Sequence, residues 1–304
     1  MTIPMTFSAE VAAARLAGAP IVALESTIIT HGMPFPQNVE TAQIVEQDVR
    51  DAGATPATIA VMNGTLHIGL EADELNSLGQ AQNVAKLSRA DIAACIAMGG
   101  NGATTVAATM IAAQLAGISV FATGGIGGVH RGAETSFDIS ADLHELAQTA
   151  VTVVAAGAKA ILDLDKTFEV LETLGVPVIA YGQDTLPAFW SATSDMPAPL
   201  RMDSAAEIAR AQIMRSAMGL SGGQLVCNPI PSDAQIPAEV LAPVIAQALS
   251  EADAQNISAK AVTPFLLGRI FELTEGRSLT ANIALVRNNA RLAAKIAAEM
   301  VNQA

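Results

Sequence analysis

Along the chain, short solid apolar runs alternate with longer runs in which apolar positions recur at helical spacing. Ile21–Leu24 is such a short run, and Val39 to Ala52 reads as a helix, with Asn38 placed to cap its start and Gly53 just past its end. That pair predicts one strand-to-helix step. Ala57–Met62 and Thr65–Ile68 flank Asn63-Gly64, a dipeptide that accepts the positive φ angles of a two-residue hairpin, so the sheet is expected to be mixed. Gly102–Ala116 predicts a buried helix, Ile118–Thr123 a strand, Ala141–Gln148 a helix, Val151–Ala155 a strand and Thr167–Leu174 a helix. Val176–Tyr181 and Gln224–Cys227 predict two more strands, and the chain from Pro237 on reads as helical, ending in the run Leu279–Val301. Pro187 to Pro199 reads as a surface loop. Repeated strand-to-helix units predict an α/β fold, a three-layer α/β/α sandwich around a mixed, largely parallel sheet, with ligands beyond the carboxyl ends of the strands.

Composition narrows the field. With 304 residues, 51% of them hydrophobic, the chain can bury a large core, and residues 1–304 are read as one domain. A formal net charge of -13, with only 16 Lys+Arg spread thinly, offers no basic stripe for a phosphate backbone and argues against a nucleic-acid partner. Cys95 and Cys227 belong to no metal or redox motif, and the amino-terminal stretch is broken by Pro4, Glu10 and Arg15, so a reducing, cytoplasmic compartment is expected. From Ile92 through His130 there is no Asp, Glu, Lys or Arg. Glycines and threonines interrupt that stretch, which reads as buried core beside a glycine-lined site, not as a membrane span.

Candidate chemistry gathers where strands end. Glu25 follows Ile21–Leu24 directly, with the hydroxyls of Ser26, Thr27 and Thr30 and then His31 and Gly32 behind it. A carboxylate so placed suits proton transfer, and pairing with an arginine is the plainer alternative. The glycine loop TGGIGGVHRG, Thr123–Gly132, fails the dinucleotide fingerprint because His130 stands where its last glycine belongs. Its backbone could approach a phosphate or sugar closely, although tight turns alone explain many such loops. Lysine is scarce, at Lys86, Lys159, Lys166, Lys260 and Lys295. Lys159 lies among apolar neighbours in VTVVAAGAKAILDL, surroundings that favour a neutral, nucleophilic amine of the Schiff-base kind; the alternatives are a solvated lysine or a pair with Asp163. In FDISADLHE, Ser140, Asp142 and a helix start form an anion- or sugar-binding environment, and Asp138 offers a hard oxygen ligand to Mg²⁺ or Mn²⁺. Ordinary helix capping accounts for the same residues. Turn hydrogen bonding is the default role of His31 and His130.

Taken together, ALESTIITHGMPFPQNVETA, NGATTVAATMIAAQLAG, FATGGIGGVHRGAETSFDISADL, AGAKAILD, NPIP, VTPFLLGRI and SLTANIALVRNNARLAA resemble the pseudouridine-5′-phosphate glycosidase family, which includes the indigoidine-cluster A proteins. The blocks are ordered and extend from about Glu25 to Ala294. The resemblance implies reversible cleavage of the C–C glycosidic bond of pseudouridine 5′-phosphate to uracil and ribose 5-phosphate. It implies Glu25 as proton donor and Lys159 as the Schiff-base nucleophile. Substrate contacts are implied for Lys86, Val106, Ser140, Ala141 and Asp142, with His130 and Asn282 as candidates for the base. The family pattern further implies one Mn²⁺ per subunit, held at Asp138 largely through waters and replaceable by Mg²⁺, and a homotrimer. Another Schiff-base sugar-phosphate lyase and a non-catalytic sugar-phosphate-binding accessory protein remain as alternatives.

Overall fold

The computed structural model describes residues 2–255, 257 and 261–303. Its strands are β1 (Met5–Phe7), β2 (Ile21–Leu24), β3 (Thr55–Met62), β4 (Thr65–Ile68), β5 (Ala85–Leu87), β6 (Gly102–Thr104), β7 (Val120–Ala122), β8 (Thr152–Ala155), β9 (Val178–Tyr181), β10 (Leu200–Met202) and β11 (Gln224–Cys227). They form one sheet in the order β1-β4-β3-β2-β7-β8-β11-β9-β10, with β6 pairing to β3 and carrying β5. Among these strands, only the β3–β4 and β3–β6 pairings are antiparallel. The expected mixed, largely parallel sheet is therefore present, and Asn63 and Gly64 turn the hairpin at φ 50° and 74°.

Helices cover both faces, as a largely parallel sheet requires. Helices Gln37–Asp51 and Arg277–Gln303 pack together over β2, β7 and β8, while Val106–Leu115, Ala141–Gln148 and Leu164–Thr173 pack in series on the other side. The central strands β7, β8 and β11 are buried along their whole length, so they read in sequence as unbroken apolar runs with no alternation. The uncharged stretch from Ile92 to His130 resolves into helix Ile92–Ala97, β6, helix Val106–Leu115 and β7. Among the described residues no helix is long and apolar enough to cross a membrane.

Three local expectations need correction. Asn38 lies inside helix Gln37–Asp51 and is buried; its amide donates to the carbonyls of Ile29 (2.8 Å) and Gly79 (2.9 Å), tying three segments together instead of capping one. Gly102–Thr104, expected as the first turn of a helix, forms β6, because a strand partner waits on either side of it. The segment from Pro187 to Pro199 is not a surface loop throughout, since Phe189, Trp190 and Ser191 are buried.

Candidate active site

The site is built at the carboxyl ends of β2, β7 and β8, three neighbours in the sheet. Glu25 is the first residue after β2. One carboxylate oxygen accepts a hydrogen bond from the Thr123 hydroxyl, the first residue after β7, and the other accepts from Thr27. With both oxygens held, Glu25 has a single orientation at the strand end, half-buried, and the alternative of an arginine pair is not realised: two hydroxyls hold the carboxylate instead. Ser26 plays a different part from its neighbours. It is fully buried, donates to the Ile59 carbonyl at 2.6 Å and accepts from the Thr104 amide at 2.9 Å, locking β2, β3 and β6 at the point where they diverge. Beside Glu25 lies a small apolar recess of about 30 Å³, walled by Leu24, Ile28, Val45, Ala122 and Val286.

The glycine loop laces this end of the sheet to the segment that leaves β8. Gly124 accepts from the Ala156 amide (2.9 Å), the Ile126 amide donates to Gly157 (3.1 Å), and the Lys159 amide donates to Ile126 (3.1 Å). Lys159 therefore sits half-buried against the loop, two strands away from Glu25. Two strand spacings, about 10 Å, separate the end of β2 from the end of β8. Asp163, the residue that could have neutralised Lys159, is engaged by Lys166 at 2.9 Å. Lys260 lies outside the described residues.

On its other edge the loop meets the acidic segment. Asp142 is buried, and its two oxygens accept from the amides of Ala107 (2.9 Å) and Gly127 (2.8 Å). It thus caps helix Val106–Leu115 from outside and pins the glycine loop to it. A β-carbon at residue 127 would stand 2.4 Å from Ser140 Oγ and 2.7 Å from Asp142 Oδ2, and one at residue 125 would stand 2.6 Å from the Phe189 ring, so both positions need glycine for close packing. Ser140 caps helix Ala141–Gln148, accepting from the Asp142 amide at 3.3 Å. Ala141 begins that helix, and Val106, buried, begins the helix that Asp142 caps. The capping roles expected of Ser140 and Asp142 are therefore real, and Val106, Ser140, Ala141 and Asp142 converge on one spot.

Lys86 and Lys159 lie near two histidines. His31 is held below its ordinary pKa by burial, with the positive charge of Lys86 adding to the effect and a bond to the Val84 backbone opposing it. Burial also lowers His130, opposed by the carboxylate of Asp138 and reinforced by Lys159 and Lys86. Lys86 is thus within electrostatic reach of both histidines, and Asp138 and Lys159 are within reach of His130. Among the described residues no group of three or more His, Cys, Asp or Glu is close enough to form a metal centre. Asp138, a lone half-buried carboxylate, fits only a cation that keeps most of its own water.

The remaining wall comes from helix Arg277–Gln303. Asn282, Leu285, Val286 and Asn289 share one helical face. Asn289 donates to the Thr123 carbonyl (2.8 Å) and accepts from Asn228 (3.0 Å), the first residue after β11. Two turns earlier, Asn282 Oδ1 accepts from the indole N–H of Trp190 at 2.7 Å. The indigoidine synthase A like family model matches residues 10–299. The chain belongs to that family. Among its relatives are pseudouridine-5′-phosphate glycosidases from Jannaschia sp., 73% identical over 98% of each chain, and from Roseobacter denitrificans, 71% identical over 99% of this chain and 97% of that one. A crystal structure of the prealnumycin C-glycosynthase AlnA in complex with ribulose 5-phosphate superposes with a TM-score of 0.92 at 38% identity, covering 100% of this chain and 99% of that one. An indigoidine synthase A-like protein from Thermotoga maritima gives 0.89 at 32% identity, covering 98% and 97%.

For this family member, sequence reasoning picked out the strand-end residues and left their supports unread. Thr123, Asn228, Asn289 and Trp190 had no assigned role. A strand-final threonine beside a glycine loop and paired asparagines on a mostly apolar helix were the available signals, because buried amides demand partners.

Proposed function

We propose that this chain is a pseudouridine-5′-phosphate glycosidase, cleaving the C–C glycosidic bond reversibly to uracil and ribose 5-phosphate. The observation that carries the reading is the 73% identity to an enzyme of that name; it is supported by Glu25, held by two hydroxyls at the end of β2, and by Lys159, whose backbone is bonded to the glycine loop. The ribulose 5-phosphate bound by AlnA supports a pentose phosphate as the sugar half.

The leaving atom is a carbon, so cleavage needs an electron donor at C1′ to replace the pair that departs with uracil C5, and a proton at C5. In the proposed route the Lys159 amine bonds to C1′ as the C1′–O4′ bond breaks, and Glu25 protonates O4′. The proton that the new ammonium sheds restores Glu25. The nitrogen lone pair then forms the C=N bond, the C1′–C5 bond breaks, and C5 takes its pair and a proton from Glu25. Water, deprotonated by Glu25, adds to the imine and releases ribose 5-phosphate and free Lys159. Run backwards, uracil C5 attacks the same imine, which accounts for reversibility.

Lys86, the first turn of helix Val106–Leu115 and the Ser140–Asp142 segment would hold the phosphate, with Asp142 positioning the two backbones that approach it. Asp138 would hold a hydrated Mn²⁺ or Mg²⁺, which supplies positive charge beside the sugar phosphate. His130 and Asn282 would contact the base. The family resemblance also supports a cytoplasmic homotrimer, which sedimentation equilibrium tests for assembly. Borohydride trapping with ribose 5-phosphate, read by peptide mapping, tests the chemistry. The expected adduct lies on Lys159 and vanishes in Lys159→Ala together with uracil release; an adduct on Lys86 or Lys166, or none, refutes the nucleophile.

A further inference from the structure

We infer that Trp190 is a specificity-determining positioning residue, which fixes the side-chain amide of Asn282 so that its NH₂ group, and not its oxygen, faces the base. The inference rests on the glycosidase reading above and on the placement of Asn282 in the base site.

Chemistry settles the orientation of this amide independently of how its atoms were assigned. An indole N–H is only a donor, so the atom 2.7 Å from Trp190 Nε1 must be the amide oxygen of Asn282. Trp190 cannot turn away to release it. Its side chain is 1% exposed, its carbonyl accepts from the Ile236 amide (2.8 Å), and Ser191 beside it donates to the Ile236 carbonyl (2.8 Å). Phe189 takes a left-handed φ of 62° to make this turn, its ring meeting the indole edge-on at 4.9 Å and lying over Gly125 of the glycine loop. A non-glycine residue holds such an angle only where its surroundings over-determine it.

The consequence is an oriented donor. Among the described residues no protein acceptor meets Asn282 Nδ2, and Asn282 is only half-buried, on the helix face that also carries Val286 beside Glu25. It sits about 10 Å up the helix from Asn289, on the side beyond the strand ends. Had the structure needed only an acceptor to satisfy a buried indole, a carbonyl would serve; an amide brings two further N–H groups that need an acceptor of their own. A pyrimidine carbonyl supplies it. An amino group at the same ring position would set donor against donor, so the site discriminates carbonyl-bearing from amino-bearing bases.

The test compares kcat/KM for pseudouridine 5′-phosphate with the two analogues in which the C4 or the C2 carbonyl is replaced by an amino group. Wild type should prefer the dioxo base over at least one analogue. In Trp190→Phe the ring packing is kept and the amide is free to turn over, so about half the molecules still present the donor and the uracil substrate loses roughly twofold. The preference over the disfavoured analogue should fall by about tenfold or more, because the turned amide accepts from its amino group. Asn282→Asp is the second variant: it keeps an acceptor for the indole, presents an oxygen to the base, and should favour the amino analogue. An unchanged selectivity ratio in a folded Trp190→Phe, or no shift toward the amino analogue in Asn282→Asp, overturns the inference while leaving the glycosidase reading intact. Absence of any turnover of pseudouridine 5′-phosphate by wild type overturns the glycosidase reading, and this inference with it.

Discussion

Replacing Asp142 by asparagine separates a positioning role from a direct contact with substrate. The side chain is buried, and each oxygen accepts one backbone amide, from Ala107 at 2.9 Å and Gly127 at 2.8 Å. Asparagine has the same shape but only one acceptor. At the oxygen that remains, a charge-assisted bond becomes a neutral one, a loss of about 1 kcal/mol. At the other, an NH₂ group opposes a buried N–H, leaving that amide unsatisfied at a cost of about 1–3 kcal/mol. The sum is about 3 kcal/mol of folding stability. For a chain of this size that is about 2–3 °C of thermal midpoint per kcal/mol, so Asp142→Asn should melt about 6–9 °C lower than wild type. Thermal unfolding followed by circular dichroism measures it, with KM for the phosphorylated substrate taken on the same preparations. KM should rise as the glycine loop and helix Val106–Leu115 lose their shared anchor. A variant that melts within 1 °C of wild type but no longer binds substrate would refute the reasoning, because it would show that the carboxylate is not held by those amides.

Thr123→Val removes one of the two hydroxyls that hold Glu25; with Thr27 still in place, the loss of about 1–1.5 kcal/mol predicts a kcat about tenfold lower in a uracil-release assay, and an unchanged kcat would remove Thr123 from the mechanism. His31 gives a pH dependence whose sign follows from its environment: burial and Lys86 favour the neutral ring in the folded state, so the unfolded chain takes up the proton first as pH falls past the ordinary 6.5. Its contribution to stability is fully present above that pH and is lost as pH falls through the lowered folded value. The thermal midpoint should accordingly drop on going from about pH 7.5 to about pH 5, and drop less in His31→Gln; equal drops in the two proteins would refute it.

The strands and helices at the centre of the fold were legible because burial on both faces leaves unbroken apolar runs, such as Val151–Ala155, that few other structures produce. The short edge strands Met5–Phe7 and Leu200–Met202 were not, since three residues with one or no buried side have no pattern to show. Gly102–Thr104 misled for a related reason: Ala103 and Thr104 continue the small-residue composition of the helix that follows, and only the partners on either side make them a strand. In the site, Glu25 stood out because it follows an apolar strand directly, and Lys159 because lysine is scarce and its neighbours are apolar. Their supports did not. Asn289 and Trp190 lie 166 and 92 residues from Thr123 and Asn282, the groups they bond, and no local spacing encodes such a meeting. Asp142 read as a helix cap, and its second task appears only when the glycine loop folds back to meet it.

The helix Arg277–Gln303 gives this enzyme an order of assembly. Chains are made from the amino terminus at about 5–20 residues per second, so Glu25, the glycine loop and Lys159 all emerge well before Asn282 and Asn289. Until that helix docks, the Thr123 carbonyl lacks its amide, Asn228 lacks its partner, and Trp190 has no oxygen for its indole. A chain made only as far as Lys159, or nicked before Asn282, would carry Glu25 and Lys159 without the hydrogen bonds that this helix brings to the strand ends, so the frame around the two is closed only after the helix has been made.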